Sequence, residues 1–248
     1  MVQPGTAAAE NVVRQPLKHT VSIVVPAWNE ERMLAATLAA LHQMKNEQGD
    51  ALWTELIVVD DGSSDKTAEE ADRWATSVIV HGSRLGKGAA MRTGWTQAKG
   101  DIVLFADADL GHSAVHLAGL LQPVISGEAD MAIARFAVPA AKGGFGLVKM
   151  FAARGIYMLT GLKLEAPLSG QRAVSSRLLR QIGRPPAGFG IEVGLTIDAA
   201  RLGCRICEVP LPLVHRETGR TLAGFWHRGL QLLDIGITML TRWMRLAP

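Results

Sequence analysis

Cysteine is almost absent from the sequence, since only two of its 248 residues are cysteines. Two thiols cannot build the disulfide framework of a small secreted domain, so a reducing cytoplasmic setting is the simplest expectation. Cys204 and Cys207 stand three positions apart, without a second Cys or His pair at zinc spacing. On an extended segment that offset points their side chains to opposite faces, so we expect two small core residues rather than metal ligands.

Long apolar runs and a dominant charge are also missing. The sequence contains no uninterrupted apolar stretch of about 18 residues, which argues against a membrane-spanning helix. The net charge of +3 and the pI of about 9.1 are too mildly basic for nucleic-acid binding, but they suit a small anionic ligand or an anionic membrane surface. Residues 1–19 lack the apolar segment of a signal peptide, and we expect a disordered leader there.

Short apolar strands alternate with helical segments in the first half of the chain. The predicted strands are Ser22–Val25, Leu56–Val59, Val78–Val80 and Ile102–Phe105. Predicted helices follow over Asn29–His42, from the Asp60–Asp65 turn to about Ala75, and over Lys87–Lys99. This alternation predicts an α/β fold with a mostly parallel, Rossmann-like sheet covered by helices on both faces. Ligands bind such sheets at the carboxyl ends of the strands, where polar residues follow here.

The second half of the chain is less regular and ends in a long helix. Strands are predicted at Met131–Arg135 and Ile206–Val209, a loop and helix over Gly143–Leu159, a strand and helix over Gln171–Ile182, and a helix over Glu192–Leu202. From Leu222 onwards, Trp and Leu residues at helical spacing lie beside arginines and predict an amphipathic helix. Such a helix binds a membrane interface, or it packs on its own domain or on the partner of a homodimer, and the sequence leaves these alternatives open.

Asp107 and Asp109 follow a predicted strand directly and are separated by one small residue. Two carboxylates in this arrangement can hold Mg²⁺ or Mn²⁺ and leave coordination positions open for water and phosphate oxygens. An isolated D-x-D is weak evidence, because exposed Asp residues are common in turns. Its context in the sequence must therefore decide between a metal site and two solvated acids.

Four motifs supply that context, in order along the chain. They are VSIVVPAWNEE at Val21–Glu31, ELIVVDDGSSDKT at Glu55–Thr67, RLGKGAAMRTGW at Arg84–Trp95 and GDIVLFADADL at Gly100–Leu110. Together they closely resemble the nucleotide-sugar half of glycosyltransferase family 2, which has a GT-A fold. Ser169–Leu179 and Glu192–Thr221 resemble the polyprenol-phosphate branch of that family. The sequence is thus identified as a member of this family.

The resemblance implies a GT-A catalytic domain over 20–221, with a nucleotide-sugar half over 20–111 and an acceptor half over 112–221. An amphipathic C-terminal helix over 222–248 follows. The implied reaction moves a hexose from UDP-glucose or GDP-mannose to a phosphate acceptor, expected to be polyprenyl phosphate, by inverting displacement. The expected location is the cytoplasm, with peripheral contact to the inner face of the cell membrane.

The donor site implied by the resemblance lies at the ends of the first four strands. It consists of Pro26, Ala27, Glu30, Asp60, Asp61, Arg84, Lys87, Asp107 and Ala108. Pro26 and Ala27 would contact the base through their backbone, Glu30 the ribose, and Asp60 or Asp61 the base. Each acid also has an ordinary structural role at a helix start or in a turn.

The metal is assigned to Asp107, Asp109 and His112, with Asp109 as the direct ligand and Asp107 facing the ribose or a bridging water. Polyprenol-phosphate relatives commonly have DADLQH here, whereas this chain has DADLGH. Gly111 thus replaces a Gln that could assist the metal, which leaves the third contact to water or to His112.

The acceptor site is expected to be basic, because guanidinium groups match phosphate oxygens. The resemblance places Arg135, Arg172, His215, Arg216 and Arg220 around it. Glu192 has the position of the acid that serves as base or orients the acceptor in many relatives. A phosphate acceptor is already an anionic nucleophile, so Glu192 would then orient it. The predicted catalytic residues are Asp109, Glu192 and Arg172.

Three alternatives remain at this point. The acceptor could be a small soluble phosphorylated acid, in which case a retaining outcome becomes possible. The chain could also bind a nucleotide sugar without transferring it. A nucleotidyltransferase would need a Gly-rich basic loop directly after the first strand, where PAWNEE stands instead.

Overall fold

The computed structural model describes residues 19–136, 146–183, 190–213 and 222–244, and for 222–231 it describes the backbone only. The predicted leader over 1–19 therefore lies outside the described residues, apart from its last position. His215, Arg216 and Arg220 of the predicted acceptor site also lie outside them.

The described strands form one sheet of seven strands, in the order β3-β2-β1-β4-β6-β5-β7. They are β1 (Val21–Ala27), β2 (Glu55–Asp60), β3 (Ser77–Val80), β4 (Ile102–Phe105), β5 (Met131–Phe136), β6 (Arg172–Ser175) and β7 (Ile206–Leu211). Only β6 among them is antiparallel to its neighbours, β4 and β5. The predicted mostly parallel α/β sheet is confirmed.

Helices cover both faces of this sheet, as predicted. They are α1 (Leu34–His42), α2 (Thr67–Asp72), α3 (Lys87–Gln97), a 3-10 helix (Gly111–Leu120), α4 (Leu121–Ile125), α5 (Gly146–Thr160), α6 (Ser176–Ile182), α7 (Ile191–Arg201) and α8 (Leu222–Met244). Successive residues of β1 point to opposite faces. Ile23 and Val25 therefore join the core under α1 and the 3-10 helix, whereas Val24 joins the core under α3, α6 and α7.

Two local features differ from the sequence prediction. The helix predicted from Asn29 begins at Leu34, and Asn29 itself has a φ of 54°, in the left-handed region that Asn tolerates better than most residues. The helical segment over 111–125 was not predicted, because Gly111 and Pro123 interrupt its apolar pattern.

Cys204 and Cys207 are half-buried and pack into the cores on opposite faces of the sheet, as their spacing predicts.

The C-terminal helix α8 packs against the domain through one of its faces. Ile235 and Met239 join a small core with residues of α5 and α7. The buried guanidinium group of Arg242 donates hydrogen bonds to both carboxylate oxygens of Asp198 on α7. Packing on the domain therefore accounts for this face of α8. Among the described helices, none is long and apolar enough to cross a membrane.

Candidate active site

The carboxyl ends of β1, β2 and β4 and the first residue of β6 meet at one edge of the sheet, which we call the carboxyl edge. Phe105, the last residue of β4, pairs with Arg172, the first residue of β6. Because β6 runs antiparallel to β4, the segment that enters β6 arrives beside the residues that leave β4. This topology brings Gly170 and Gln171 next to the D-x-D motif.

Lys87 connects two carboxylates at the carboxyl edge. Its Nζ lies 2.8 Å from Oδ1 of Asp107 and 3.2 Å from Oε1 of Glu192, in the first turn of α7. Burial lowers the pKa of Lys87, but the charges and hydrogen bonds of the two acids outweigh this effect and hold its pKa well above the ordinary value. The ammonium group therefore stays charged at neutral pH. The structure thus brings together Lys87, Asp107 and Glu192, which come from three separate predicted motifs.

Gln171 and Gly170 complete this cluster, and neither was predicted from the sequence. Nε2 of Gln171 donates a 2.6 Å hydrogen bond to Oδ2 of Asp107. A Cβ atom on Gly170 would lie 2.5 Å from Nζ of Lys87 and 2.9 Å from Oδ1 of Asp107. A side chain at this position would therefore force Lys87 or Asp107 to move.

Thr37 holds the D-x-D turn through two hydrogen bonds, a role that was not predicted from the sequence. Its buried hydroxyl donates a 2.7 Å hydrogen bond to the carbonyl of Ala108 and accepts one of 2.8 Å from the backbone N–H of Gly111. Gly111 has a φ of 53°, so its backbone is in the left-handed region that favours glycine. The substitution of Gly for Gln in DADLGH thus fits the conformation of this turn.

The predicted metal triad is not assembled in the structure. Within the described ranges, no three His, Cys, Asp or Glu side chains are grouped so that they could hold a metal ion. His112 opens the 3-10 helix after the Gly111 turn and its side chain is exposed. The structure therefore does not bring His112 together with Asp107 and Asp109, and its role as a third ligand stays a prediction.

Asp60 is the last residue of β2 and Asp61 follows it directly, and both are buried. Asp60 accepts hydrogen bonds from the backbone and hydroxyl groups of Ser63. Asp61 accepts from Nδ1 of His81 at 2.8 Å and from the backbone N–H groups of Leu85 and Gly86 at 2.9 and 2.7 Å. The carboxylate of Asp61 thus fixes the position of the loop over 81–86, which leads into Lys87.

The end of β1 and the segment that leads from it into α1 supply the neighbouring surface. The carbonyl of Ala27 accepts a hydrogen bond from the N–H of Asp61, which ties the ends of β1 and β2 together beyond Pro26. Glu30 donates through its backbone N–H to Thr67. Trp28 is exposed, and the guanidinium carbon of Arg84 lies 3.5 Å from the centre of its ring. This aromatic surface was not predicted. The position of Trp28 within the first motif, between the predicted donor residues Ala27 and Glu30, could have indicated it.

Arg172 does not face a ligand site. It is fully buried, and its guanidinium group donates to the carbonyls of Ser169 and Pro167 at 2.7 and 3.2 Å, and to the carbonyl of Glu192 at 2.9 Å. A fourth bond of 2.8 Å reaches the hydroxyl of Thr196. The prediction that Arg172 binds the acceptor phosphate or acts in catalysis is therefore wrong, because its donors hold the backbone of two segments together.

Arg135 lies at the end of β5, where its Nη1 donates a 2.7 Å hydrogen bond to Oε2 of Glu165. Both side chains are solvent-exposed, so this ion pair is weak.

Asp109 and Ala108 form the turn after β4, with Ala108 buried and Asp109 partly exposed. The described part of the carboxyl edge therefore offers acids, the cations Lys87 and Arg84, and the Trp28 ring around the D-x-D turn.

Known proteins resemble this chain in both sequence and structure. Residues 22–167, more than half of the chain, match the sequence profile described as Glycosyl transferase family 2. An undecaprenyl-phosphate mannosyltransferase of Micrococcus luteus is 33% identical over 221 residues, covering 81% of this chain and 86% of that enzyme. A glucosyl-3-phosphoglycerate synthase of Mycobacterium tuberculosis is 32% identical over 209 residues, covering 74% of this chain but only 62% of the synthase.

The same mycobacterial enzyme provides a structural comparison. Its crystal structure in complex with Mn²⁺, UDP-glucose and phosphoglyceric acid has a TM-score of 0.75 and 30% identity, over 91% of this chain and 80% of that chain. Its crystal structure with UDP has also been determined with Mg²⁺. This likeness confirms the GT-A fold. With the matching profile and the cluster at the carboxyl edge, it shows that the chain belongs to glycosyltransferase family 2.

Proposed function

We propose that this protein transfers a hexose from UDP-glucose or GDP-mannose to polyprenyl phosphate by inverting displacement. The observation that carries the proposal is the position of Lys87, which bridges Asp107 of the donor half and Glu192 of the acceptor half. A fixed cation between the two halves stabilises negative charge where a diphosphate leaves and a phosphate attacks.

The donor lies over the ends of β1, β2 and β4 in this proposal. The backbone of Pro26 and Ala27 contacts the base, and the Trp28 ring offers an exposed surface on which a base can stack. Glu30 binds the ribose. Asp60 and Asp61 are engaged by Ser63 and by the loop before Lys87, so they shape the base site rather than accept from the base.

A divalent cation, Mg²⁺ or Mn²⁺, fits the chemistry of the D-x-D turn, because carboxylate oxygens are the ligands both ions prefer. Both oxygens of Asp107 already accept hydrogen bonds or ion pairs within the protein. Following the family pattern, Asp109 would hold the ion directly and Asp107 through water. When bound, the ion supplies positive charge that stabilises the departing diphosphate.

Glu192 and Lys87 act on the acceptor side. A phosphate monoester is already an anionic nucleophile, so its attack on the anomeric carbon needs no strong base. Lys87 attracts the phosphate, and Glu192 fixes the Lys87 ammonium and orients the acceptor. Arg172 positions Glu192 by binding its carbonyl.

Two acceptor classes follow from the relatives, a polyprenyl phosphate and a small phosphorylated acid such as phosphoglycerate. We favour the lipid acceptor because the relative that acts on undecaprenyl phosphate is matched over most of its own length, and because α8 exposes apolar side chains beside the helix that carries Glu192. The corresponding location is the cytoplasm, in peripheral contact with the membrane.

The assay that tests this function pairs two donors, UDP-glucose and GDP-mannose, with two acceptors, a short polyprenyl phosphate in detergent and 3-phosphoglycerate. Each pair is measured with Mg²⁺, with Mn²⁺ and with excess chelator. We expect metal-dependent transfer to the polyprenyl phosphate. Transfer to phosphoglycerate alone would favour the soluble alternative, and hydrolysis or binding without transfer would contradict the proposal.

Gly170→Ala tests the Lys87 cluster without removing any of its charged groups. The new methyl group would displace the Lys87 ammonium from Asp107, and because the end of a lysine side chain is flexible, the fold should tolerate this. We expect kcat/KM to fall at least about tenfold, which corresponds to about 1.4 kcal/mol. Gly236→Ala is the matched control, since a Cβ atom there meets nothing within 4 Å and Gly236 lies on α8, outside the loop that Asp61 anchors. Equal activity of the two variants would contradict a role for the cluster.

His81→Ala tests the loop anchored by Asp61. It removes one hydrogen bond to that buried carboxylate, and such a bond contributes about 1.5–3 kcal/mol. Because the loop leads into the donor site, we expect the KM for the donor to rise roughly tenfold while kcat stays within about twofold. His81→Asn retains an N–H donor and should restore part of the affinity. A loss of kcat without a change in KM would contradict this positioning role.

A further inference from the structure

Most of the large hydrophobic side chains that the described residues expose lie on α5 and α8. On α5 they are Leu147, Met150, Phe151, Tyr157 and Met158, and on α8 they are Leu232, Leu233, Ile237, Leu240, Trp243 and Met244. The two helices pack on each other and on α7 through their opposite sides. We call this set of exposed residues the α5–α8 face. An exposed apolar area of this extent marks an interaction surface.

The charges near the α5–α8 face are almost all positive. The segment 146–163 contains no Asp or Glu, and its three cations, Lys149, Arg154 and Lys163, are exposed. Nζ of Lys163 lies 5.7 Å from the centre of the Tyr157 ring. In α8 the sequence from 222 to 244 has a single acid, Asp234. The face therefore combines apolar side chains with basic ones.

The combination of apolar and basic side chains on this face favours an anionic membrane over a second copy of the chain as its binding partner. In an isologous dimer the face would meet a copy of itself, and the cations of the two copies would repel each other, with Asp234 as the single acid that α5 and α8 contribute. An anionic bilayer instead offers an apolar interior to the Leu, Met and Trp side chains and negative headgroups to the Lys and Arg side chains. We infer that the α5–α8 face docks this protein on an anionic membrane surface.

The position of the face links docking to the active site, and this step rests on the proposed function. Thr238 in the middle of α8 lies against Gly190, two residues before Glu192, whereas the end of α8 meets Asp198 and Arg201 of α7. The earlier half of α8 therefore extends on the side of α7 where Glu192 lies. Docking through this face would bring the Glu192 end of α7 near the headgroup layer, where the phosphate of a polyprenyl phosphate resides.

Vesicle flotation of the full chain tests this inference. We expect binding to vesicles of phosphatidylcholine with about one third phosphatidylglycerol, weaker binding to phosphatidylcholine alone, and weakening by 0.5 M NaCl as the charges are screened. The double variant Met158→Glu/Ile237→Glu should reduce binding at least about tenfold. Leu202→Glu is the matched control, because Leu202 is an exposed leucine outside the face. Thermal unfolding and transfer to a short acceptor in detergent check that each variant is folded.

The outcomes separate this inference from the proposed function. Failure of the wild-type chain to bind anionic vesicles, with transfer to detergent-solubilised polyprenyl phosphate intact, would overturn the docking face and leave the function standing. If the wild-type chain binds vesicles and the double variant does not, the docking face is supported. If the wild-type chain then shows no transfer to polyprenyl phosphate, the proposed function is overturned. A wild-type dimer in light scattering that the double variant converts to monomers would overturn the inference in favour of a second copy of the chain.

Discussion

Asp109→Asn is expected to lower kcat by at least about 10³-fold, which corresponds to about 4 kcal/mol of transition-state stabilisation. The substitution keeps the size and polarity of the side chain but removes the charge that, in the proposed mechanism, binds a divalent cation next to the donor diphosphate. Steady-state kinetics with the donor and a short polyprenyl phosphate measure the effect. The melting temperature should hardly change, because Asp109 is only partly buried in the turn after β4.

A charge-matched control separates this effect from a general change in net charge. Asp72→Asn removes one negative charge from an exposed position at the end of α2, away from the carboxyl edge. It should leave kcat and KM at wild-type values. Full activity of Asp109→Asn would remove the metal assignment, and an equal loss in both variants would show that the effect is not local.

Arg172→Met should produce the largest loss of stability, about 3–5 kcal/mol. The substitution leaves the buried carbonyls of Pro167 and Ser169 without this donor, and it removes one of the donors to the carbonyl of Glu192, which keeps the hydroxyl of Thr196. Burial lowers the pKa of Arg172 to about 10, against the opposing charges of Glu192 and Glu208, so the guanidinium group remains charged at neutral pH. Urea unfolding monitored by circular dichroism measures the free energy of unfolding.

Lysine cannot replace Arg172 either, because a single ammonium group cannot reproduce the planar arrangement of donors. Arg177→Met is the control, since Arg177 is exposed on α6 and its loss should change stability by less than about 0.5 kcal/mol. If Arg172→Met were as stable as the wild type but inactive, the phosphate-binding role first predicted for Arg172 would be restored.

Strand positions followed from the sequence wherever an apolar run ended in polar residues. The predicted runs for β1, β2 and β4 match the observed strands to within about two residues, because buried parallel strands are apolar throughout. The direction of β6 could not be predicted, since an antiparallel strand in this sheet has the same composition as a parallel one. The segment over 111–125 was missed because its Gly and Pro residues are unfavourable in helices.

Local motifs predicted the acids and the lysine of the candidate site, but not the residues that hold them. Asp107 and Lys87 stand at strand or helix ends that the sequence marks clearly. Gln171 reaches Asp107 from 64 positions away, across the antiparallel pairing of β4 and β6, and no local pattern indicates this contact. The prediction for Arg172 failed for a different reason. Its charge was taken to indicate phosphate binding, whereas the apolar residues around it in the sequence already indicated a buried side chain with internal partners.

A crystal grown with Mn²⁺ and a nucleoside diphosphate, measured at the manganese absorption edge, shows directly whether the D-x-D turn binds a divalent cation beside the leaving diphosphate. We expect one anomalous peak between the Asp109 carboxylate and the diphosphate oxygens, with Asp107 in contact through water. A diphosphate bound at the carboxyl edge without an ion, and with the Asp109 carboxylate turned away from it, would rule out the proposed metal site.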